Sequence, residues 1–364
     1  MSLYSLSSSS TLLACSTLII FLSWTAPSAS AFSLSDLSST SPWSAFLNLT
    51  GCHLGDRNPV LPTLKNYLHH FGYLPDSVDL SDDSFDDILE SALRTYQQNF
   101  ALDATGHLDL RTIAQLASPR CGVPDIINGT TSMIAGRLHG RGLYTYFQGE
   151  PTWPQRDLTY AFTDVSAVPI DRSVLGTVFG RAFARWAAAT PLTFKEVAAD
   201  AGADITIGFF KGDHGDGEPF DGVLGTLAHA FSPTNGRFHL DAAENWVAEG
   251  DVRDSNSRDA VDLESVAVHE IGHLLGMGHS SAADAVMFPT ISAGSRRVDL
   301  ASDDVEGVQR LYGSNPDFRK AMAPTGGERQ QRDSSHGEVG LERLGWGAAV
   351  GLFLAVVTVN LLDL

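Results

Sequence analysis

Cysteine is nearly absent from the 364-residue sequence: there are three, and one of them, Cys15, lies in an apolar leader. The remaining two, Cys52 and Cys121, are too few for a disulfide framework, so a core or bound metals must hold the fold. Basic residues are also scarce. Lysine and arginine number 24 against 43 aspartates and glutamates, a net charge of −19, which argues against nucleic acid and anionic membrane surfaces as default partners. The carboxylate excess suits calcium, although a solvated surface explains most of it.

Long uncharged apolar stretches are confined to the two ends. Thr11 to Trp24 is followed by Ala26-Pro-Ser-Ala-Ser-Ala31, whose small residues suit removal of a signal peptide, 1–31. No Lys or Arg precedes that run. Asn48-Leu-Thr and Asn128-Gly-Thr are glycosylation acceptors, consistent with secretion. At the other end 344–362 carries no charge and could span a bilayer. It lacks a basic flank on the cytoplasmic side, where only Asp363 and Leu364 follow, and Ser334 and Ser335 precede a polar spacer. The pattern reads as a GPI-anchor signal, 335–364, removed to leave the protein on the outer face of the plasma membrane. A retained transmembrane anchor is the alternative.

Between the ends, 51–118 reads as a three-helix bundle. Leu61, Leu64, Leu68 and Phe71 keep helical spacing, 84–100 does so through Ile88, Leu89, Leu93, Tyr96 and Phe100, and a short helix covers 109–117. The stretch 135–155 has no periodicity and reads as an exposed linker where a precursor would be cut. Strands are then expected at 158–162, 193–197, 204–209, 225–231 and 238–240, with helices at 171–190, 257–275 and 302–312. Their alternation gives an α/β or α+β class with a mixed sheet. A flexible spacer is expected at 314–334.

The chemistry is concentrated in His269-Glu-Ile-Gly-His-Leu-Leu-Gly-Met-Gly-His279. Positions i and i+4 of a helix share a face, so His269 and His273 present two imidazoles to one ion. Gly276 can end the helix in a left-handed turn and bring His279 back as a third ligand. Three protein ligands leave one position for water, as in a catalytic rather than a structural zinc. Zinc acidifies that water and polarises a carbonyl. Glu270 stands ready as general base and would later protonate the leaving amine.

These residues resemble the metzincin clan and, within it, the matrix metalloproteinases, particularly the short plant type without a haemopexin-like domain. The resemblance spans about 52–313. It implies an α+β fold: a metzincin catalytic domain, 147–313, with a twisted five-stranded mixed sheet and three helices. Before it comes a propeptide, 32–146, carrying a three-helix peptidoglycan-binding-like domain. Met287 in Val286-Met-Phe-Pro289 matches the Met-turn beneath the zinc. Pro119-Arg-Cys-Gly-Val-Pro-Asp125 resembles the cysteine switch, in which the Cys121 thiolate takes the open zinc position and an Arg120–Asp125 ion pair fixes the loop. Cys52 is free or pairs with Cys121, and pairing would disarm the switch.

The resemblance also implies a structural zinc on His214, Asp216, His229 and His239. A calcium site follows at Asp221, Gly222, Leu224, Thr226, Asp241 and Glu244, the glycine, leucine and threonine giving backbone carbonyls. A second calcium site has a match in Asp204, but Arg237 stands where an aspartate would be. Gly225-Thr-Leu-Ala-His229 corresponds to an edge strand beside which a peptide substrate lies antiparallel, with Leu227 and Ala228 lining the cleft. Ile291 stands where many relatives carry Tyr. Asp303 and Asp304 match a pair, one of which is expected to bind the ammonium freed by activation. The implied function is a secreted zinc endopeptidase, made latent, acting as a monomer on extracellular or cell-surface proteins. A wall- or matrix-binding protein with a vestigial protease domain is the alternative.

Overall fold

The computed structural model describes residues 41–131, 133 and 143–317. The signal peptide and GPI signal read from the sequence, and most of the spacer, lie outside the described residues.

The N-terminal part opens with a 3-10 helix, Pro42–Leu49, and three α-helices follow: α1 (Leu61–His70), α2 (Asp87–Asn99) and α3 (Leu110–Leu116). Helix starts are chemically marked. Asp86 accepts the Leu89 N–H and Asp109 accepts the Thr112 N–H, each satisfying a donor the helix cannot. Phe46, Leu64, Leu68, Leu89, Leu93, Tyr96 and Ile113 are fully buried between these helices. The same core takes in Phe288, whose ring meets Phe100 edge-on at 5.6 Å. The bundle is therefore docked on the residue that follows Met287.

A short strand β1 (Arg120–Cys121) and a hairpin, β2 (Ile126–Ile127) and β3 (Thr130–Thr131), lead out of the bundle. After the undescribed residues come β4 (Tyr144–Tyr146), β5 (Asp157–Asp164), α4 (Arg172–Ala189), β6 (Thr193–Glu196) and β7 (Ile205–Phe210). Next are β8 (Thr226–Ala230), β9 (Arg237–Asp241), β10 (Asn245–Val247), β11 (Ala260–Asp262), α5 (Leu263–Leu274), β12 (Met277–Ser280) and α6 (Ser302–Tyr312).

The main sheet runs β1-β8-β9-β7-β5-β6. All its pairings are parallel except β8 with β9. Helices α4 and α5 share a core with this sheet through Phe179, Phe183, Trp186, Val268 and Ile271. The Trp186 indole N–H donates to the Val268 carbonyl at 2.9 Å, tying the two helices together. The class is α+β with a mixed sheet, as expected.

Five strands of this sheet, β8, β9, β7, β5 and β6, come from 147–313, as expected, and β1 of the expected propeptide adds a sixth at the β8 edge. Two expectations need correction. The helix expected over 257–275 starts at Leu263. Ala260–Asp262 pairs with β10 instead, and the Asp262 carboxylate caps the helix by accepting from Ser265 N–H. The linker expected to be exposed over 135–155 is partly structured. Tyr144–Tyr146 pairs with β12, Thr145 is buried, and the Trp153 indole donates to the Leu274 carbonyl at 2.7 Å.

Candidate metal centres and catalytic cleft

Helix α5 carries His269 and His273 one turn apart, and their rings lie 4.8 Å from centre to centre. The helix stops because Gly276 adopts φ +95°, a left-handed conformation that glycine reaches without a Cβ penalty. A Cβ there would also fall 2.2 Å from the Pro151 carbonyl. The chain then returns as β12 and delivers His279 beside the other two rings. Gly272 faces Met287 so closely that a Cβ would lie 2.2 Å from its sulfur. The expected floor of Met287 under the histidines therefore depends on that glycine.

Each imidazole is oriented through Nδ1. His269 donates to the Val286 carbonyl at 2.7 Å and His273 to the Met277 carbonyl at 2.9 Å. His279 donates to Oδ1 of Asp125 at 2.9 Å. Since carbonyls and carboxylates only accept, each ring carries its hydrogen on Nδ1 and turns an Nε2 lone pair inward. The Nε2 atoms of His269 and His273 lie 3.1 Å apart, and Cys121 Sγ lies 3.4 Å from that of His273. His279 Nε2 is buried without a partner. Converging lone pairs repel unless a cation sits among them. The separations approach the roughly 3.3 Å edge of a tetrahedron built on zinc–nitrogen bonds of about 2.0–2.1 Å. Burial holds the His269 imidazole down at about 3 and pushes the Cys121 thiol up. The first suits a bound metal, which needs neutral imidazole; the second opposes the thiolate that ligation needs, so a metal there must displace the thiol proton.

Glu270 is fully buried, and neither carboxylate oxygen has a hydrogen-bond partner in the protein. Burial raises its carboxyl to about 8. Beside it lies a cavity of about 320 Å³, counting its open mouth, lined by Leu227, Val266, Val286, Pro289, Ile291 and Arg297 among others. Arg297 was not singled out in the sequence. Half-buried, it donates to the Thr290 carbonyl at 3.2 Å.

β1 fills the cleft. Arg120 N–H donates to the Gly225 carbonyl at 3.1 Å and Gly122 N–H to that of Ala228 at 2.8 Å, while Cys121 N–H donates to Pro289 across the groove at 2.9 Å. Arg120 is fully buried. It makes a bidentate pair with Asp125 at 2.7 and 3.0 Å, and its guanidinium lies 3.5 Å from the Phe71 ring centre. Burial would raise the Asp125 carboxyl, but Arg120 and His279 outweigh it and bring it to about 2. Cys52 is half-buried and, like Cys121, is a free thiol, so the pairing left open by the sequence does not occur.

A second convergence joins His214, Asp216, His229 and His239. Oδ2 of Asp216 faces His214 Nε2 at 3.0 Å, His229 Nε2 at 2.8 Å and His239 Nδ1 at 2.7 Å. His214 already donates from Nδ1 to the Gly212 carbonyl at 2.9 Å. Neutral, it therefore points a lone pair at a carboxylate, again an arrangement that calls for a cation. Four donors leave no position free, as a structural zinc requires.

The residues expected to bind calcium surround one loop. Asp221 accepts Thr226 N–H, Asp241 accepts Gly222 N–H, and Glu244 accepts Leu224 N–H with its other oxygen buried and unpartnered. Burial raises Asp221 to about 6 and Glu244 to about 8. These carboxylates do not gather as tightly as the two histidine groups, and the Leu224 carbonyl also accepts from the Ser41 hydroxyl at 3.0 Å. Asp204 binds Thr159 and Gln155, and Arg237 lies 3.9 Å over the Phe231 ring. Asp303 accepts the Leu143 N–H and the Ser280 hydroxyl; Asp304 accepts the N–H groups of Val286, Met287 and Ala301. Asn48 and Asn128 are both exposed.

Comparison with known proteins agrees with this geometry. The matrixin peptidase family matches residues 152–313, and a peptidoglycan binding domain family matches 57–116. Metalloendoproteinase 2-MMP of Arabidopsis thaliana is 53% identical over 309 residues, 80% of this chain and 81% of that protein. Metalloendoproteinase 1 of Glycine max is 46% identical, over 79% of this chain and 94% of its own length. Matrilysin of Homo sapiens is 37% identical, over 70% and 86% respectively.

Proposed function

From the premise that this chain belongs to the matrixin family of metalloendopeptidases, we propose that it is a secreted, latent zinc endopeptidase acting on extracellular or cell-surface proteins. The observation that carries this reading is the convergence of Cys121 Sγ with the nitrogens of His269, His273 and His279. A thiol placed there occupies the one corner a catalytic centre must keep open.

Zinc bound by the three histidines would supply an acidified water and a polarised carbonyl. The chain's own residues do the rest. Glu270, whose buried carboxylate has the Cys121 thiol beside it only while the switch is in place, takes the proton and returns it to the leaving amine. The β8 edge aligns the substrate backbone by strand addition, and the cavity beside Glu270 takes an apolar side chain. β1 runs parallel to β8, opposite in sense to the antiparallel substrate expected there. Held that way, the switch segment blocks the cleft without presenting its own peptide bond correctly for cutting.

His214, Asp216, His229 and His239 are assigned to the structural zinc, and Asp221, Gly222, Leu224, Thr226, Asp241 and Glu244 to calcium. Asp303 already holds a main-chain N–H at Leu143, so a new amino terminus formed nearby would find its counter-charge in place. Because β4 pairs with β12, we place the activating cut before Tyr144 rather than at Phe147. Glycans at Asn48 and Asn128, a removed signal at 1–31 and a GPI anchor replacing 335–364 complete the reading. Among the described residues no helix is long and apolar enough to cross a membrane.

The test is peptidase activity of the trimmed chain, abolished by chelator and by Glu270→Ala, with Cys121→Ser active uncut. A Glu270→Ala chain that still cuts peptides would remove the mechanism. The match of 57–116 to a peptidoglycan binding domain favours one second reading, attachment to wall polysaccharide. A pull-down on wall polymers beside the peptidase assay separates the two.

A further inference from the structure

The three imidazoles of the principal centre are not held alike. His269 and His273 give their Nδ1 hydrogens to main-chain carbonyls of Val286 and Met277, on the same side of the linker as the histidines themselves. Removing the bundle leaves those acceptors in place. His279 instead gives its hydrogen to Asp125, 154 residues earlier, and both side chains are fully buried.

We propose that Asp125 is a positioning residue for the catalytic metal: it orients and polarises His279, so the segment that blocks the site also tightens its grip on the ion. This rests on the latent-peptidase reading above. A carboxylate on the far nitrogen of a ligating histidine fixes its tautomer and ring angle and makes it a better donor; removing such a partner typically weakens metal binding about 10–100-fold.

The bundle fixes the carboxylate in turn. Oδ1 receives Arg120 and His279, while Oδ2 receives Arg120 and the Tyr73 hydroxyl at 2.9 Å. Asn99 donates to Tyr73 at 3.1 Å, and Asp125 N–H donates to the Phe71 carbonyl at 3.1 Å. The angle of the third imidazole is thus set from the turn after α1, through Phe71 and Tyr73, and from Asn99 at the end of α2. When that support leaves, the centre loses the Cys121 thiolate and the outer partner of His279 together. Loss of latency and loosening of the metal are then one event.

The bland alternative is that Asp125 serves only to anchor Arg120. Two readouts on the zinc-loaded full chain separate them: imidazole N–H resonances in proton–nitrogen spectra, and the rate of zinc transfer to a chelator. Both are measured with and without Asp125→Asn in a Cys121→Ser background, so no thiolate contributes. The expected result is that one ring N–H, downfield of those bonded to carbonyls, moves in Asp125→Asn while the His269 and His273 signals stay. Release from the three-histidine site should quicken about 10–100-fold. Unmoved ring signals, or a release rate within twofold of the parent, would overturn the proposal.

Should Asp125→Asn fail to fold, the Cys121→Ser chain is compared with itself before and after proteolytic trimming. The same resonance must then shift or exchange with water on trimming, and its persistence unchanged would overturn the idea equally. Latency is scored separately. An uncut Cys121→Ser chain that stays inactive counts against the switch, whatever the His279 signal does.

Discussion

Replacing Arg120 by methionine keeps much of the buried volume and removes the guanidinium that neutralises Asp125. The pair is fully buried and bidentate, and its cation also rests on Phe71. Leaving one member of such a pair unpaired costs about 3–5 kcal/mol. At 1.36 kcal/mol per factor of ten, the population with the switch segment out of the cleft should rise roughly a hundredfold to several thousandfold. Cys121 is 5% exposed when docked, so a thiol reagent reaches it through that open form. When opening and closing outpace the reagent, labelling tracks the open population. Peptide-resolved mass spectrometry on the full chain gives the rate, and Cys52, on the bundle, serves as an internal control. Arg120→Met should speed labelling of Cys121 by that factor, leave Cys52 within a few-fold, and raise peptidase activity of the uncut chain. A Cys121 rate within about threefold of the parent would refute the reasoning, because the ion pair would then contribute nothing to docking.

Glu270→Gln should lower kcat of the trimmed enzyme by about 10²–10⁴, the range of general acid–base catalysis, with zinc content unchanged by metal analysis. Asp216→Ala should reduce bound zinc from two ions to one per chain and lower the melting temperature, since one carboxylate oxygen faces three imidazoles there; unchanged stoichiometry would remove the structural site. Gly276→Ala should destabilise the chain by at least about 1–2 kcal/mol in denaturant titration, from the positive φ and the contact with Pro151. Calcium chelation should lower the melting temperature of the parent more than that of Glu244→Gln, as the unpartnered Glu244 oxygen is left buried.

Local chemistry made much of this molecule legible in its sequence. Asp86 and Asp109 mark helix starts because a carboxylate before an amphipathic run satisfies the first free N–H groups. Likewise Gly276 marks where α5 must stop. The convergence of His269 and His273 was legible because residues four apart on a helix share a face, whereas the grouping of His214, Asp216, His229 and His239 was expected only through the family resemblance. What escaped depends on partners distant in the chain. β4 is only Tyr144–Tyr146, and its pairing partner lies beyond residue 276. Ala260–Asp262 carries the apolar character of a helix start and becomes a strand only because β10 lies beside it. The bond from His279 to Asp125 was out of reach for the same reason. Glu264 reads as a surface acid on a helix, yet it is buried under Arg181, Arg185 and Arg296 from two other segments.

Zinc X-ray absorption on the full chain before and after trimming tests the central claim most directly. The account predicts one sulfur at about 2.3 Å shared over two zinc ions in the uncut chain, lost on trimming as peptidase activity appears, with the nitrogen ligands retained. An uncut chain whose zinc has no sulfur neighbour, or a trimmed chain that cuts peptides with no zinc bound, would contradict it.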